Sequence, residues 1–96
     1  MAGFRLTKAA KRDLVEIARY TLERWGDEQR VRYLTQLDAR FRWIASNPEL
    51  GIQSDHIRPG YWHCNEGRHA IFYRISSRRV DIVRILHERM LPERHL

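Results

Sequence analysis

Ninety-six residues with 43% hydrophobic content make one domain, residues 1–96, with a single core and no room for a second. Eighteen Lys and Arg against 12 acidic residues give a net charge of +6 and a pI near 10.2, pointing to an acidic partner: nucleic acid, the ribosome or an acidic protein segment. Cys64 stands alone, which excludes an internal disulfide and a cysteine-based zinc site and fits a reducing compartment.

The N-terminal stretch MAGFRLTKAAKRD lacks an apolar export segment, so the expectation is a cytosolic protein that enters no membrane. Gly3-Phe4-Arg5-Leu6 alternates as a short strand, and Thr7 follows as a helix N-cap. The first helix runs to about Trp25, with Ala10, Leu14, Val15, Ile17, Ala18, Leu22 and Trp25 on its apolar side. Gly26 suits the C-cap and Asp27 the N-cap of the next helix, so the two helices fold back as an antiparallel hairpin. The second helix covers roughly Glu28 to Ser46 and buries Val31, Leu34, Leu37, Phe41, Ile44 and Ala45. Trp43 lies off that stripe, either under a loop or on a contact surface. Asn47-Pro48 ends the helix, and the chain to Gly60 is loop with a short helical turn.

Tyr61 to Asn65 forms the next strand, with Glu66-Gly67 as its turn. The hairpin Arg68 to Leu86 is apolar on both faces of both strands, so both faces require cover. Closing it at Ser77-Arg78 sets Arg74 opposite Asp81 and Ile75 opposite Val80. Trp62, Cys64, Ile71, Tyr73, Ile75, Val80 and Ile82 then share the face that suits the helices. The other carries Tyr61, His63, Arg68, Ala70, Phe72, Val83, Ile85 and His87, and a partner or the tail beyond His87 should cover it.

Two chemistries compete with simple binding on that second face. His63, Arg68, His87 and Arg89 could cleave RNA without metal, with one imidazole taking the 2′-hydroxyl proton, another protonating the leaving oxygen and Arg stabilising the phosphorane. The five histidines lack metal-ligand spacing, so no metal and no other cofactor is expected. A binding surface fits the composition best, with an apolar centre and an Arg rim receiving an extended or helical segment that carries acidic side chains.

The succession ERWGDEQ (Glu23 to Gln29), ASNPELG (Ala45 to Gly51), IRPGY (Ile57 to Tyr61), GRHAIFYRI (Gly67 to Ile75) and VRILHERM (Val83 to Met90) resembles the ParE toxins of the RelE/ParE superfamily across nearly the whole chain. That resemblance implies an α+β fold: an N-terminal strand and an antiparallel helical hairpin packed on a mainly antiparallel sheet, in β-αα-βββ order. It implies the toxin of a bacterial type II toxin-antitoxin pair that inhibits DNA gyrase without being an enzyme and is neutralised by a ParD-like antitoxin. The toxin would reach operator DNA only indirectly, through the antitoxin. Arg58, Arg68, His87, Arg89 and Met90 become the expected target-binding residues, and Trp25, Trp43, Tyr61, Phe72, Val83 and Ile85 the expected antitoxin contacts. The alternative within the superfamily is a ribosome-dependent messenger-RNA endonuclease of the RelE type, using His63, Arg68, His87 and Arg89. Leu91 stands where the family often has Asp after Met.

Overall fold

A computed structural model of the chain describes residues 3–96. Met1 and Ala2, which open the stretch read above as lacking an export signal, lie outside the described residues. Strand β1 (Gly3–Leu6) leads into helices α1 (Lys8–Trp25) and α2 (Asp27–Ser46), which form the expected hairpin. Strands β2 (Ile52–Gln53), β3 (Tyr61–Glu66), β4 (His69–Ile75) and β5 (Arg79–His87) follow, with single 3-10 turns at Pro48–Leu50 and Pro92–Arg94. The sheet order is β1-β5-β4-β3-β2, antiparallel except where β1 lies parallel to β5. The two-residue β2 hides inside the segment expected to be loop, because Ile52 and Gln53 are too few to show an alternation.

Capping chemistry accounts for the helix ends. The Thr7 hydroxyl accepts from the Ala10 N–H at 3.1 Å and donates to the Val83 carbonyl at 2.8 Å, so one side chain starts α1 and anchors it to β5. Gly26, at φ 96°, ends α1 and begins α2 at once, the left-handed geometry of a one-residue connection. Asp27 is therefore the first residue of α2 rather than its cap, and it pairs instead with Arg30.

The core lies between the helices and one sheet face, and it gathers Ala10, Ile17, Leu37, Phe41, Ile44, Ile71, Tyr73, Val80 and Ile82. Phe4 of β1 meets Phe41 of α2 edge-on at 5.4 Å, locking the edge strand under the helices. The expected apolar stripes are only half covered: Val15, Leu22 and Trp25 of α1 and Val31 of α2 are exposed, while Thr21 is buried and donates to the Ile17 carbonyl at 2.7 Å. Leu22, Trp25 and Val31, on either side of the Gly26 connection, are thus left to solvent.

The β4–β5 turn closes as expected, with Arg74 opposite Asp81 and Ile75 opposite Val80. Asp81 takes its ion pairs from Arg5 and Arg79, however, while the Arg74 guanidinium lies over the Tyr61 ring at 5.7 Å. Further along, the register shifts: Tyr73 pairs with Ile82 but Phe72 with Arg84, which leaves Val83 as an extra residue. Past this bulge every β5 side chain changes face. Ile85, expected on the outer face as an antitoxin contact, is 2% exposed and packs in the helix-side core, and His87 sits beside His69 on the helix side.

Phe72 and Leu86 face the opposite side and are also buried. The His63 ring lies 5.2 Å from that of Phe72 on this side, and the tail is tied to the same face. Arg84 donates to the His95 carbonyl at 2.9 Å and Arg58 to the Leu96 carbonyl at 2.8 Å, laying the Pro92–Arg94 turn across the outer face. Phe72, expected as an antitoxin contact, is thus buried within this structure.

Candidate functional site

A groove of about 600 Å³ opens where the helical hairpin overhangs the sheet. Helix α1 supplies Glu16, Ile17, Tyr20, Thr21 and Trp25, and α2 supplies Gln29 and Tyr33. The β3–β4 turn gives Gly67, Arg68 and His69, and the end of β5 and its continuation give His87 and Met90. Trp25 is 66% exposed and Tyr20 58%, an apolar wall that water alone faces.

The floor of the groove depends on close packing at the turn. Register pairs Glu66 with His69, so the two-residue turn is Gly67-Arg68, one residue later than the expected Glu66-Gly67. Gly67 adopts φ 57°, and a β-carbon there would lie 2.7 Å from the Tyr33 ring, so both conformation and space require glycine. The Tyr33 hydroxyl lies 3.0 Å from the Glu66 carbonyl and 2.6 Å from His69 Nδ1. His69 in turn meets the His87 ring edge-on at 5.3 Å. Burial, with the His87 imidazole adding to it, pushes the His69 pKa from 6.5 to about 4, so His69 is neutral at physiological pH. Burial also raises the Tyr33 pKa above 10.0, against the opposing pull of the Arg68 backbone hydrogen bond.

The expected target-binding set divides. Arg68, His87 and Met90 line the groove, and the Arg89 N–H donates to His87 Nδ1 at 3.1 Å beside it. Arg58 belongs to the tail contact instead. Of the expected antitoxin contacts, Trp25 alone lines the groove. Trp43 forms a separate shallow hollow with Gln36, Ala39, Arg40 and Glu66, where the Arg40 guanidinium lies 5.2 Å from its ring. Tyr61 is half-buried beneath Arg74, and Val83 is half-buried in the bulge. Tyr20, Tyr33 and His69 join the groove without having been singled out for it. Spacing offered one signal for them: Tyr33, Leu37 and Phe41 recur every four residues along the inner face of α2.

The expected nuclease set separates as well. His63 lies on the outer face at 5.2 Å from the Phe72 ring, its Nδ1 2.7 Å from the Oγ of Ser54. Ser54 is fully buried, so this pair offers no accessible nucleophile and instead fixes β2 against β3. Burial, and the neighbouring His56, hold the His63 pKa below 6.5. His63 therefore does not share a pocket with His87, whereas the catalysis expected of them needs two imidazoles on one phosphate. Among the described residues no three His, Cys, Asp or Glu side chains gather as a metal site.

The family described as "ParE toxin of type II toxin-antitoxin system, parDE" matches residues 4–92. The chain belongs to the ParE toxin family. A relative named "Toxin ParE1" in Caulobacter vibrioides (strain ATCC 19089 / CIP 103742 / CB 15) is 41% identical over 96 residues, 100% of this chain and 99% of that protein. Another "Toxin ParE1", from Mycobacterium tuberculosis (strain ATCC 25618 / H37Rv), is 41% identical over 92 residues, 95% and 94% of the two chains. The solved structure "Chromosomal ParDE TA system from P. aeruginosa" superposes with a TM-score of 0.78, covering 91% of this chain and 96% of that one at 17% identity, a likeness of fold. This ParE chain thus has the α+β architecture that its sequence motifs imply. Among the described residues no helix is long and apolar enough to cross a membrane.

Proposed function

We propose that this ParE-family toxin acts in the cytoplasm by binding DNA gyrase without catalysing a reaction, and that a ParD-like antitoxin neutralises it by filling the groove. The observation that carries the antitoxin reading is the uncovered wall of Tyr20 and Trp25, with the exposed Arg68, paired to Glu88, at its rim. An amphipathic segment with acidic side chains would cover that wall, as in helix-in-groove recognition. Gyrase as the target rests on family membership, and the exposed sheet end of Arg68, Arg89 and Met90 supplies a basic surface for it. Contact with operator DNA would come through the antitoxin.

The separation of His63 from His87 weighs against the messenger-RNA endonuclease reading. Adding purified toxin to a gyrase supercoiling and cleavage assay, and in parallel to a ribosome-programmed messenger-RNA cleavage assay, tests the proposal. Cleaved DNA accumulating with intact message is the expected result. Cut message with normal supercoiling would overturn it and return Arg68 and His87 to a catalytic role.

A further inference from the structure

Four carboxylates lie around the groove, of which Asp13 and Glu88 act on His69, and each already holds a guanidinium. Asp13 of α1 is paired with Arg84, Glu16 of α1 with Arg19, Glu66 at the end of β3 with Arg40, and Glu88 after β5 with Arg68. His69 and His87 have no carboxylate of their own among the described residues, although both line the groove. Their hydrogen bonds define what they present. His87 Nδ1 accepts from the Arg89 N–H, so a neutral His87 carries its proton on Nε2 as a donor. The Tyr33 hydroxyl has one proton for two acceptors, the Glu66 carbonyl and His69 Nδ1. If that proton goes to Glu66, His69 Nδ1 must itself be the donor to Tyr33, and Nε2 is left with a lone pair that can take up a proton.

The groove end is therefore rich in donors and potential cations, and it is walled by apolar surface that strengthens any charge pairing made there. We infer that the partner segment seated in this groove places one carboxylate side chain on the His69–His87 pair, and that seating it takes up a proton. This rests on the reading of the groove as the antitoxin's seat. In the empty groove, burial and then the neighbouring His87 ring keep His69 neutral against the opposing pull of Asp13 and Glu88; a further carboxylate within reach of the rings reverses that balance. Tyr20 and Tyr33 of the helices, Arg68 and the four paired carboxylates are the other charged or titratable groups around the groove, and the inference requires the ion pairs to persist on binding. Affinity then rises as pH falls, because the complex binds more protons than its separated components.

Calorimetric titration of the full chain with a purified ParD-like antitoxin, in two buffers of different ionisation enthalpy at pH 7, counts the protons directly. Net uptake is expected, with binding tightening by roughly three- to tenfold per unit from pH 8 to pH 6. His69→Asn, whose amide can still meet Tyr33, should bind with the uptake largely removed and the pH profile flattened, while His95→Gln in the tail should behave as the parent. Imidazole nitrogen NMR of the unaltered chain provides a check independent of any variant: His69 should titrate at higher pH in the complex than in the free protein. Binding with no proton uptake and an unmoved His69 titration would overturn this inference alone. Absence of binding at every pH would overturn the antitoxin reading and the inference with it.

Discussion

Asp13 accepts from Arg84 Nε at 2.8 Å and Nη2 at 3.0 Å, and from the Ile85 backbone N–H at 2.9 Å. Strand β1 stops opposite Ile82, so this carboxylate occupies the edge that β5 would otherwise leave bare beyond that point. Arg84 carries the link on to the tail through the His95 carbonyl. Asp13→Asn keeps the shape but loses the charge, and it should lower unfolding free energy by about 1–3 kcal/mol in urea denaturation, because a half-buried guanidinium loses its counter-charge. No local pattern announces this pair, since 71 residues separate its members. His69 leads to a second expectation. Its folded pKa of about 4 lies below the ordinary 6.5, so the unfolded chain binds the extra proton between those values and stability rises with pH across that window. The thermal midpoint should climb from pH 4 to pH 6.5, and His69→Asn should flatten part of the climb.

Elements were more legible than their ends. Thr7 and Asn47-Pro48 bounded the helices where expected, and the β4–β5 register was readable from the two-residue turn, although Ile75 is exposed rather than covered by the helices and Asp81 pairs with Arg5 and Arg79 instead of Arg74. The bulge at Val83 was not readable, because β5 is apolar on both faces and either phase of the strand satisfies that pattern. Its effect on the site is large: it brings His87 into the groove and takes Leu86 out to the tail side. The exposed end of the helical hairpin was misread for a related reason, since periodicity marks an apolar stripe without saying how much of it the sheet can reach. Trp25→Ala should therefore leave the melting temperature within about 2 °C, as expected for an exposed position. The same variant should weaken ParD-like antitoxin binding at least about tenfold by calorimetry, in the manner of an aromatic anchor.

At the level of the whole molecule, positive charge is spread over the surface while most acidic side chains near the groove are committed to internal pairs. That distribution favours fast capture of an acidic partner over added stability. Raising salt from about 50 to 500 mM should slow antitoxin association by about tenfold in stopped-flow mixing while dissociation changes little. The parallel pairing of β1 with β5 has a different kind of outcome. Thr7 must wait for a carbonyl 76 residues downstream, and the groove needs His87 from the same late strand. Long-range pairing of this kind closes late. A nascent chain on the ribosome thus has neither its sheet edge nor its groove until β5 has emerged. The fold itself ties completion of the groove to the synthesis of β5.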